Sequence, residues 1–450
     1  MMGYGPDDIF RLRKAVYGLI DAPLQWWATI ENWFVENGLT RSVFDPTVFV
    51  LNDKKTNAIK GIVGVAVDDT LWGGDKEMKR IMDMFAKKFE VDIKGWESAL
   101  KKAIKFLGHD ITQCPKTFEI KVDQDHYIKE NIKPIELSDH RKTKPEPTAC
   151  TKEEIKSLQA GNGTGIWVIA QTRADVAVQI SMIAGEVGRE PTIGTISRFN
   201  KAAACLMSRK VTITYKRLGK SADDFELLLY HDASFGNLPK GGSQGGLILF
   251  AIPRGSVKQE DFYNPKIKTI PAVPLFWKSF RLQRVARSTF CGETLCASEA
   301  LDVGQYHREF FSTLVGRHIP VTQVTDCKSL KDNVDSIVPK STEKRLRRDL
   351  HAINEAVTNK ELQAFLWADT RHQMADCLTK EMDASPVIQS FETGSLKIGM
   401  SKEQSEKASK LKKKQASRAE RVRYWENWSR HSSLPQCFFN SKVAEYLMEN

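Results

Sequence analysis

One stretch limits the possible fold more than any other. Residues 226–237 read ELLLYHDASFGN, an apolar run from Leu227 to Tyr230 that leads into His231-Asp232-Ala233-Ser234. The pattern predicts a buried strand that delivers one carboxylate, Asp232, to its exposed end. Three more acids lie downstream in contexts suited to the same point in space: Glu293 in ARSTFCGETLCASEA, Asp326 in VTQVTDCKSL and Asp376 in RHQMADCLTK. Carboxylates that converge on one spot repel one another unless cations sit between them. A cluster of this kind therefore implies divalent metal, most naturally magnesium on oxygen ligands.

At 450 residues the chain is too long for one ordinary domain, and two to four are expected. The net charge of +11 favours a polyanionic partner, nucleic acid above all. The competing reading is a basic tail on a near-neutral body, since Lys407, Lys410, Lys412, Lys413, Lys414, Arg418, Arg421 and Arg423 supply much of the excess. GIVGVAV at 61–67 is too short to span a membrane. The start, MMGYGPDDIF, has acids where a signal peptide needs bases, and it lacks an apolar core. The expectation is an intracellular protein, cytoplasmic or nuclear, with no membrane partner. Eight cysteines include no CxxC pair and no histidine at a zinc-finger spacing, so they read as reduced core cysteines rather than a zinc site.

Taken in order, the chain first shows helical apolar spacing at Ile30, Trp33, Phe34 and Leu39. SVFDPTVFVL at 42–51 reads as a turn into a short strand. Residues 61–72 read as two apolar runs joined by Asp68-Asp69, a hairpin with two acids at its tip. Asp is a common turn residue, so this pair alone does not define a metal site. Residues 75–89 follow as an amphipathic helix.

These stretches carry a resemblance. KAVYGLIDAPLQWW, DPTVFV, VAVDDTLWGG, FLGHDITQ and DQDHYIKENI stand in an order and spacing similar to the reverse transcriptase of copia-type retrotransposons, over about residues 11–135. The resemblance implies that Asp68 and Asp69 are the paired metal-binding aspartates of a polymerase palm, where two metal ions activate a primer hydroxyl. Two departures stand out. Ala66 replaces the usual aromatic before Val-Asp-Asp, and the family's earlier palm strand, with its further Asp, would precede Arg11. DNA polymerisation by this chain alone is therefore not expected. The chain reads as the back half of a polymerase, either a truncated product or one piece of a longer polyprotein.

PIELSDHRKTKPEPTACT at 134–151 reads as a linker, and 166–187 and 196–207 as helices. They fit a thumb or connection lying along a duplex. The family's Thr-Arg-Pro-Asp segment falls here, with Ala174 in place of proline, and Asp175 reads as a packing residue. A short strand at 211–215 follows. From 225 to about 380 the predicted order is three strands (226–233, 244–252, 274–279) and a helix from 289 to about 314 that ends at Gly316. A strand (321–325), a helix (342–357), a strand (362–367) and a last helix opening at 373–379 complete it. This order resembles the ribonuclease H fold. The resemblance to copia-type sequences continues through WKSFRLQRVARSTFCGET, TDCKSL, RLRRDLHAI and QMADCLTK.

The predicted architecture is thus a multidomain α/β and α+β chain. A partial palm (1–135), a helical connection (136–222), a ribonuclease H-like mixed sheet with flanking helices (223–384) and a basic tail (385–450) make it up. The resemblance assigns Asp232, Glu293, Asp326 and Asp376 as the catalytic, metal-binding acids, holding two Mg2+ ions or Mn2+ in their place. The expected activity is hydrolysis of RNA in RNA–DNA hybrids, with template–primer as a further nucleic-acid partner. Assembly with the rest of a Pol polyprotein, or with a second copy, is the expected association. Lys278, Arg281, Arg284 and Arg287 alternate with Phe280, Leu282 and Val285 and are candidate phosphate contacts; a solvated basic turn is the competing reading. His372 reads as a surface loop residue and His231 as a packing residue. The alternative to an enzyme is a catalytically inactive nucleic-acid-binding remnant of a retroelement. The Lys-rich stretch 401–423 and the aromatic run after it read as a nucleic-acid or protein docking arm, or a nuclear import signal.

Overall fold

A computed structural model describes residue 16 and residues 18–91, 95–221, 224–336 and 343–400. The basic stretch 401–423, the aromatic run that follows it and Cys437 lie outside the described residues. Helix α1 (Ala22–Glu36) precedes an antiparallel sheet of β1 (Thr40–Arg41), β2 (Val48–Asn52), β3 (Ile59–Ala66) and β4 (Asp69–Gly74), and α2 (Lys76–Lys88) packs across it. Asp75 caps α2 by accepting from the amides of Glu77 and Met78. Ile30, Phe34, Phe49, Val63, Met82 and Phe85 close a separate small core there. The hairpin tip is Val67-Asp68, because Ala66 already pairs with Asp69. Val67 takes φ +56°, a strained position for a β-branched residue.

A second antiparallel sheet runs in the order β5 (Ile104–Phe106), β6 (His109–Gln113), β7 (Ile120–Asp123), β8 (Ile213–Tyr215). Between its last two strands the chain forms α3 (Asp125–Asn131), the short α4 (Asp139–Lys142) and three packed helices, α5 (Lys152–Gln171), α6 (Ala177–Val187) and α7 (Ile193–Ser208). The single helix expected over 166–187 is two helices, and the first begins at Lys152. Thr151 and Glu154 close a capping box that starts it inside the expected linker. Gly161 and Gly165 hid its periodicity, yet both serve packing. A Cβ on Gly161 would come within 2.6 Å of the Phe199 ring, and one on Gly165 within 3.0 Å of Ile180.

The largest sheet runs in the order β12 (Val273–Arg281), β10 (Gly242–Pro253), β9 (Phe225–Leu238), β13 (Val321–Thr325), β14 (Ala364–Trp367). Strand β10 is antiparallel to both neighbours, while β13 is parallel to β9 and β14 to β13. This mixed arrangement agrees with the predicted ribonuclease H-like order. Leu227, Leu229 and Ala233 share one core with α9 (Thr289–Val315), α10 (Lys328–Val334) and α11 (Lys344–Thr358). Leu228 and Tyr230 share the other with α5–α7 and the C-terminal segment. Burial on both faces is why β9 is continuously apolar. Helix α9 starts at Ser288, whose hydroxyl accepts from Cys291 N, and ends at Gly316 in the left-handed region.

Three features differ from expectation. Strand β9 runs on to Leu238, so Asp232 lies within the strand and is buried rather than at an exposed end. No α-helix opens at Gln373. Asp376 sits in a single 3-10 turn, Asp376–Leu378, because the Gln373 side chain turns inward to donate to His231 O (3.0 Å) and accept from Ala375 N (3.2 Å). The folded body also continues past 384, through α12 (Ser385–Thr393) and β15 (Ser395–Ile398). Phe391 packs on Trp277 at 4.8 Å between ring centroids, and β15 pairs with β11 (Lys268–Pro271). Strand β11 and the short helix α8 (Gln259–Phe262) belong to an insertion between β10 and β12 that the apolar pattern did not mark.

Candidate active site

Four acids meet at one end of the large sheet. Asp232 projects from β9 and is 5% exposed; Glu293, in the second turn of α9, is 4% exposed. Asp326 directly follows β13, and Asp376 comes from the 3-10 turn. Carboxylate oxygens of Asp232, Asp326 and Asp376 all lie within 4.8 Å of one another. Glu293 stands behind them, close enough for the charges of Asp232 and Asp326 to act on it, and its Oε2 is buried without a hydrogen-bond partner.

Neighbouring groups hold this cluster in place. Thr379 Oγ1 donates to Asp232 Oδ2 (2.5 Å), Thr370 Oγ1 donates to Asp326 Oδ2 (2.8 Å), and Lys380 Nζ pairs with Asp376 Oδ1 (3.0 Å). Trp367 Nε1 donates to Asp326 O (2.9 Å), and Cys296 Sγ donates to Asp232 O (3.0 Å). Burial raises the Asp326 carboxyl, helped by Asp232. Burial and Asp232 together push Asp376 up to about 7. Glu293 is driven well above the usual carboxylate range by burial first, then by Asp232 and Asp326. Protons compensate here for cations. The donor set, oxygen only and convergent, with one buried carboxylate oxygen unpartnered, fits hard divalent metal.

The other expected site residues are placed apart. Asp68 and Asp69 are exposed, on the separate N-terminal sheet, and among the described residues no third acid joins them. Lys278 is exposed, with its Nζ 4.7 Å from the centre of the Phe280 ring. Arg281 is half-buried against Pro239 O, and Arg287 is exposed. Arg284 pairs with Asp349 at 2.5 Å, so its charge is already matched. Phe280 and Leu282 are buried between these basic residues, but Val285 is exposed, and the alternation fails there. His231 is fully buried against Phe365, and burial holds its imidazole down to about 3. His372 is half-buried and also lowered by burial. Sequence reasoning missed Thr370, Thr379 and Lys380. Their only signal was adjacency, Thr379-Lys380 coming three and four residues after Asp376.

Residues 3–149 match the family model described as reverse transcriptase (RNA-dependent DNA polymerase). The retrovirus-related Pol polyprotein from transposon RE2 of Arabidopsis thaliana is 24% identical over 421 residues, covering 88% of this chain and 25% of that protein. The corresponding polyprotein from transposon TNT 1-94 of Nicotiana tabacum is 24% identical over 399 residues, covering 83% and 27%. The chain thus spans about a quarter of the length of these curated relatives. Among solved structures, the foamy viral protease-reverse transcriptase in complex with RNA/DNA hybrid covers 79% of this chain and 39% of its own at 12% identity, with a TM-score of 0.39. LC11-RNase H1 in complex with RNA/DNA hybrid covers 34% and 94% at 13% identity, with a TM-score of 0.24.

Proposed function

We propose that this chain is a reverse transcriptase and ribonuclease H segment of a retroelement Pol polyprotein, and that its large-sheet site is a metal-dependent nuclease that hydrolyses the RNA strand of RNA–DNA hybrids. One observation carries this reading: Asp232, Asp326 and Asp376 bring oxygens within 4.8 Å of one another, with the unpartnered Glu293 Oε2 behind them. These four residues would hold two divalent ions, Mg2+ or Mn2+. Bound there, such ions supply an activated water and charge stabilisation for the departing 3′-oxygen.

The chain's own groups set the conditions. Thr379 and Thr370 each hold one carboxylate oxygen, which restricts rotation of the Asp232 and Asp326 carboxylates. Burial keeps the cluster in a low-dielectric setting where charge interactions are strong. Lys380 offsets part of the negative charge beside Asp376. Lys278, Arg281 and Arg287 are proposed to follow the phosphates of the hybrid, with Arg284 a weaker contributor because of Asp349. Selection of RNA rests on its 2′-hydroxyl. Asp68 and Asp69 are proposed as palm metal ligands that require a further acid. Association with other parts of a Pol polyprotein or with a second copy is also a proposal.

The test is cleavage of a labelled RNA–DNA hybrid by the purified chain, with Mg2+ and with EDTA. Asp232→Asn is expected to abolish cutting while leaving the circular dichroism spectrum intact. Wild-type protein that binds hybrid with Mg2+ but never cuts it refutes the nuclease and establishes a binding remnant.

A further inference from the structure

Helix α6 belongs by sequence to the connection, yet it is wired into the nuclease site. Ser181 on α6 donates its hydroxyl to Ser279 O on β12 (2.9 Å) and accepts from Gln244 Nε2 on β10 (2.9 Å). The same Gln244 amide donates to Ser279 Oγ (2.8 Å), and Ser279 Oγ donates to Leu378 O (2.6 Å). Leu378 closes the turn that carries Asp376. A second branch leaves the Gln244 backbone, whose N–H donates to Asn237 Oδ1 (3.1 Å). Asn237 Nδ2 donates to Thr379 O (2.9 Å), and Thr379 Oγ1 holds Asp232. Gln244, 1% exposed, therefore ties the helical layer to two of the four acids at once.

The seat beneath the turn is bare. A Cβ on Gly246 would stand 2.7 Å from Leu378 Cβ and 3.0 Å from Ala375 O, so the turn rests directly on β10 beside Asp232, the register partner of Gly246. The turn's own backbone bonds, from Leu378 N to Ala375 O (2.9 Å), Thr379 N to Asp376 O (3.1 Å) and Lys380 N to Asp376 O (3.3 Å), are local and do not anchor it to the sheet. Its position is set by the groups that grip it, and Gln244 is central among them.

We propose that Gln244 is a positioning residue for the nuclease and that Ser181 couples α6 to the Asp376 turn. Helix α6 is then a working part of the active site rather than an arm lying along the duplex. This rests on the nuclease reading above. The acids already sit where metal can bind; the relay holds Asp376 and Asp232 in the register that two ions require. Displacement of about 1 Å at such a site costs on the order of a hundredfold in rate.

The test uses the full chain with Ser181→Ala, Ser181→Thr and Gln244→Leu. Mn2+ affinity is read by electron paramagnetic resonance, and kcat and KM are read from hybrid cleavage. Asp232→Asn serves as the control that places Mn2+ at the acids. Ser181→Ala and Gln244→Leu should lower kcat roughly ten- to hundredfold and weaken Mn2+ binding, with KM changed by no more than about twofold. Ser181→Thr, which restores the hydroxyl, should return both readouts to near the wild-type values. Equal Mn2+ affinity and kcat in all three variants overturns the proposal, and so does a Ser181→Thr variant as poor as Ser181→Ala. Should Gln244→Leu fail to fold, the Ser181 pair decides. Wild-type chain that binds Mn2+ without cutting hybrid refutes the nuclease reading alone, and the Mn2+ affinities of the variants then judge the relay.

Discussion

Arg173 should be the most costly single side chain to remove from the helical layer. It is 1% exposed, and the guanidinium uses all of its donors. Nε and Nη2 form a fork on Asp175 at 2.9 Å each. Nη1 donates to Leu206 O (2.6 Å) and Arg209 O (3.0 Å), and Nη2 to Cys205 O (3.2 Å). Two of these carbonyls are in the last turn of α7, where no intrahelical partner exists. Arg173→Met leaves Asp175 as an uncompensated buried charge and strips the helix end of its donors. Breaking a buried pair from one side costs about 3–5 kcal/mol. Lys at this position keeps the charge but offers at most three donors and no fork, so Arg173→Lys should destabilise less than Arg173→Met without matching the wild type. The assay is urea and thermal unfolding of the full chain followed by tryptophan fluorescence. Arg173→Met should lower the midpoint by roughly 6–20 °C. Arg173→Met with Asp175→Leu should regain at least about 1 kcal/mol over the single variant, because no bare charge remains. A single variant within about 1 kcal/mol of wild type, or a double variant no better than the single, refutes the argument.

The raised carboxyls of Glu293, Asp326 and Asp376 mean that the metal-free folded chain holds protons which the unfolded chain has shed. Metal-free stability should therefore fall as pH climbs from about 4 through 7, and Mn2+, competing with those protons, should bind about tenfold or more tighter at pH 8 than at pH 6. Melting in EDTA across that window and Mn2+ titration check both signs; a pH-independent Mn2+ affinity refutes them. Gly246→Ala should lift the Asp376 turn, since its Cβ would fall 2.7 Å from Leu378 Cβ. The expected outcome is a stability loss of about 1–3 kcal/mol and a drop in kcat of about tenfold or more, and unchanged turnover counts against the seat described.

Whatever rests on local pattern could be read from the order of residues. The apolar run of β9, the order of strands and helices around it, and the stop of α9 at Gly316 follow from periodicity and from glycine's tolerance of positive φ. The four acids were singled out because each stands in or beside such an element, and their shared role was what the family resemblance implied. The tertiary structure alone decided the rest. Asp376 was expected on a helix because its neighbours show no breaker, but Gln373 and the bare Gly246 draw the segment flat onto the sheet. The start of α5 was obscured by glycines whose purpose appears only when Phe199 and Ile180 pack against them. Gln244 gave no signal and Arg173 stood out only as part of a family-like segment, since a polar side chain declares its partners only when buried beside them. Bonds that hold the site reach far along the chain, over 63 positions from Gln244 to Ser181 and over 147 from Thr379 to Asp232. Windowed patterns report on neighbours along the backbone, whereas hydrogen bonds and desolvation act on neighbours in space.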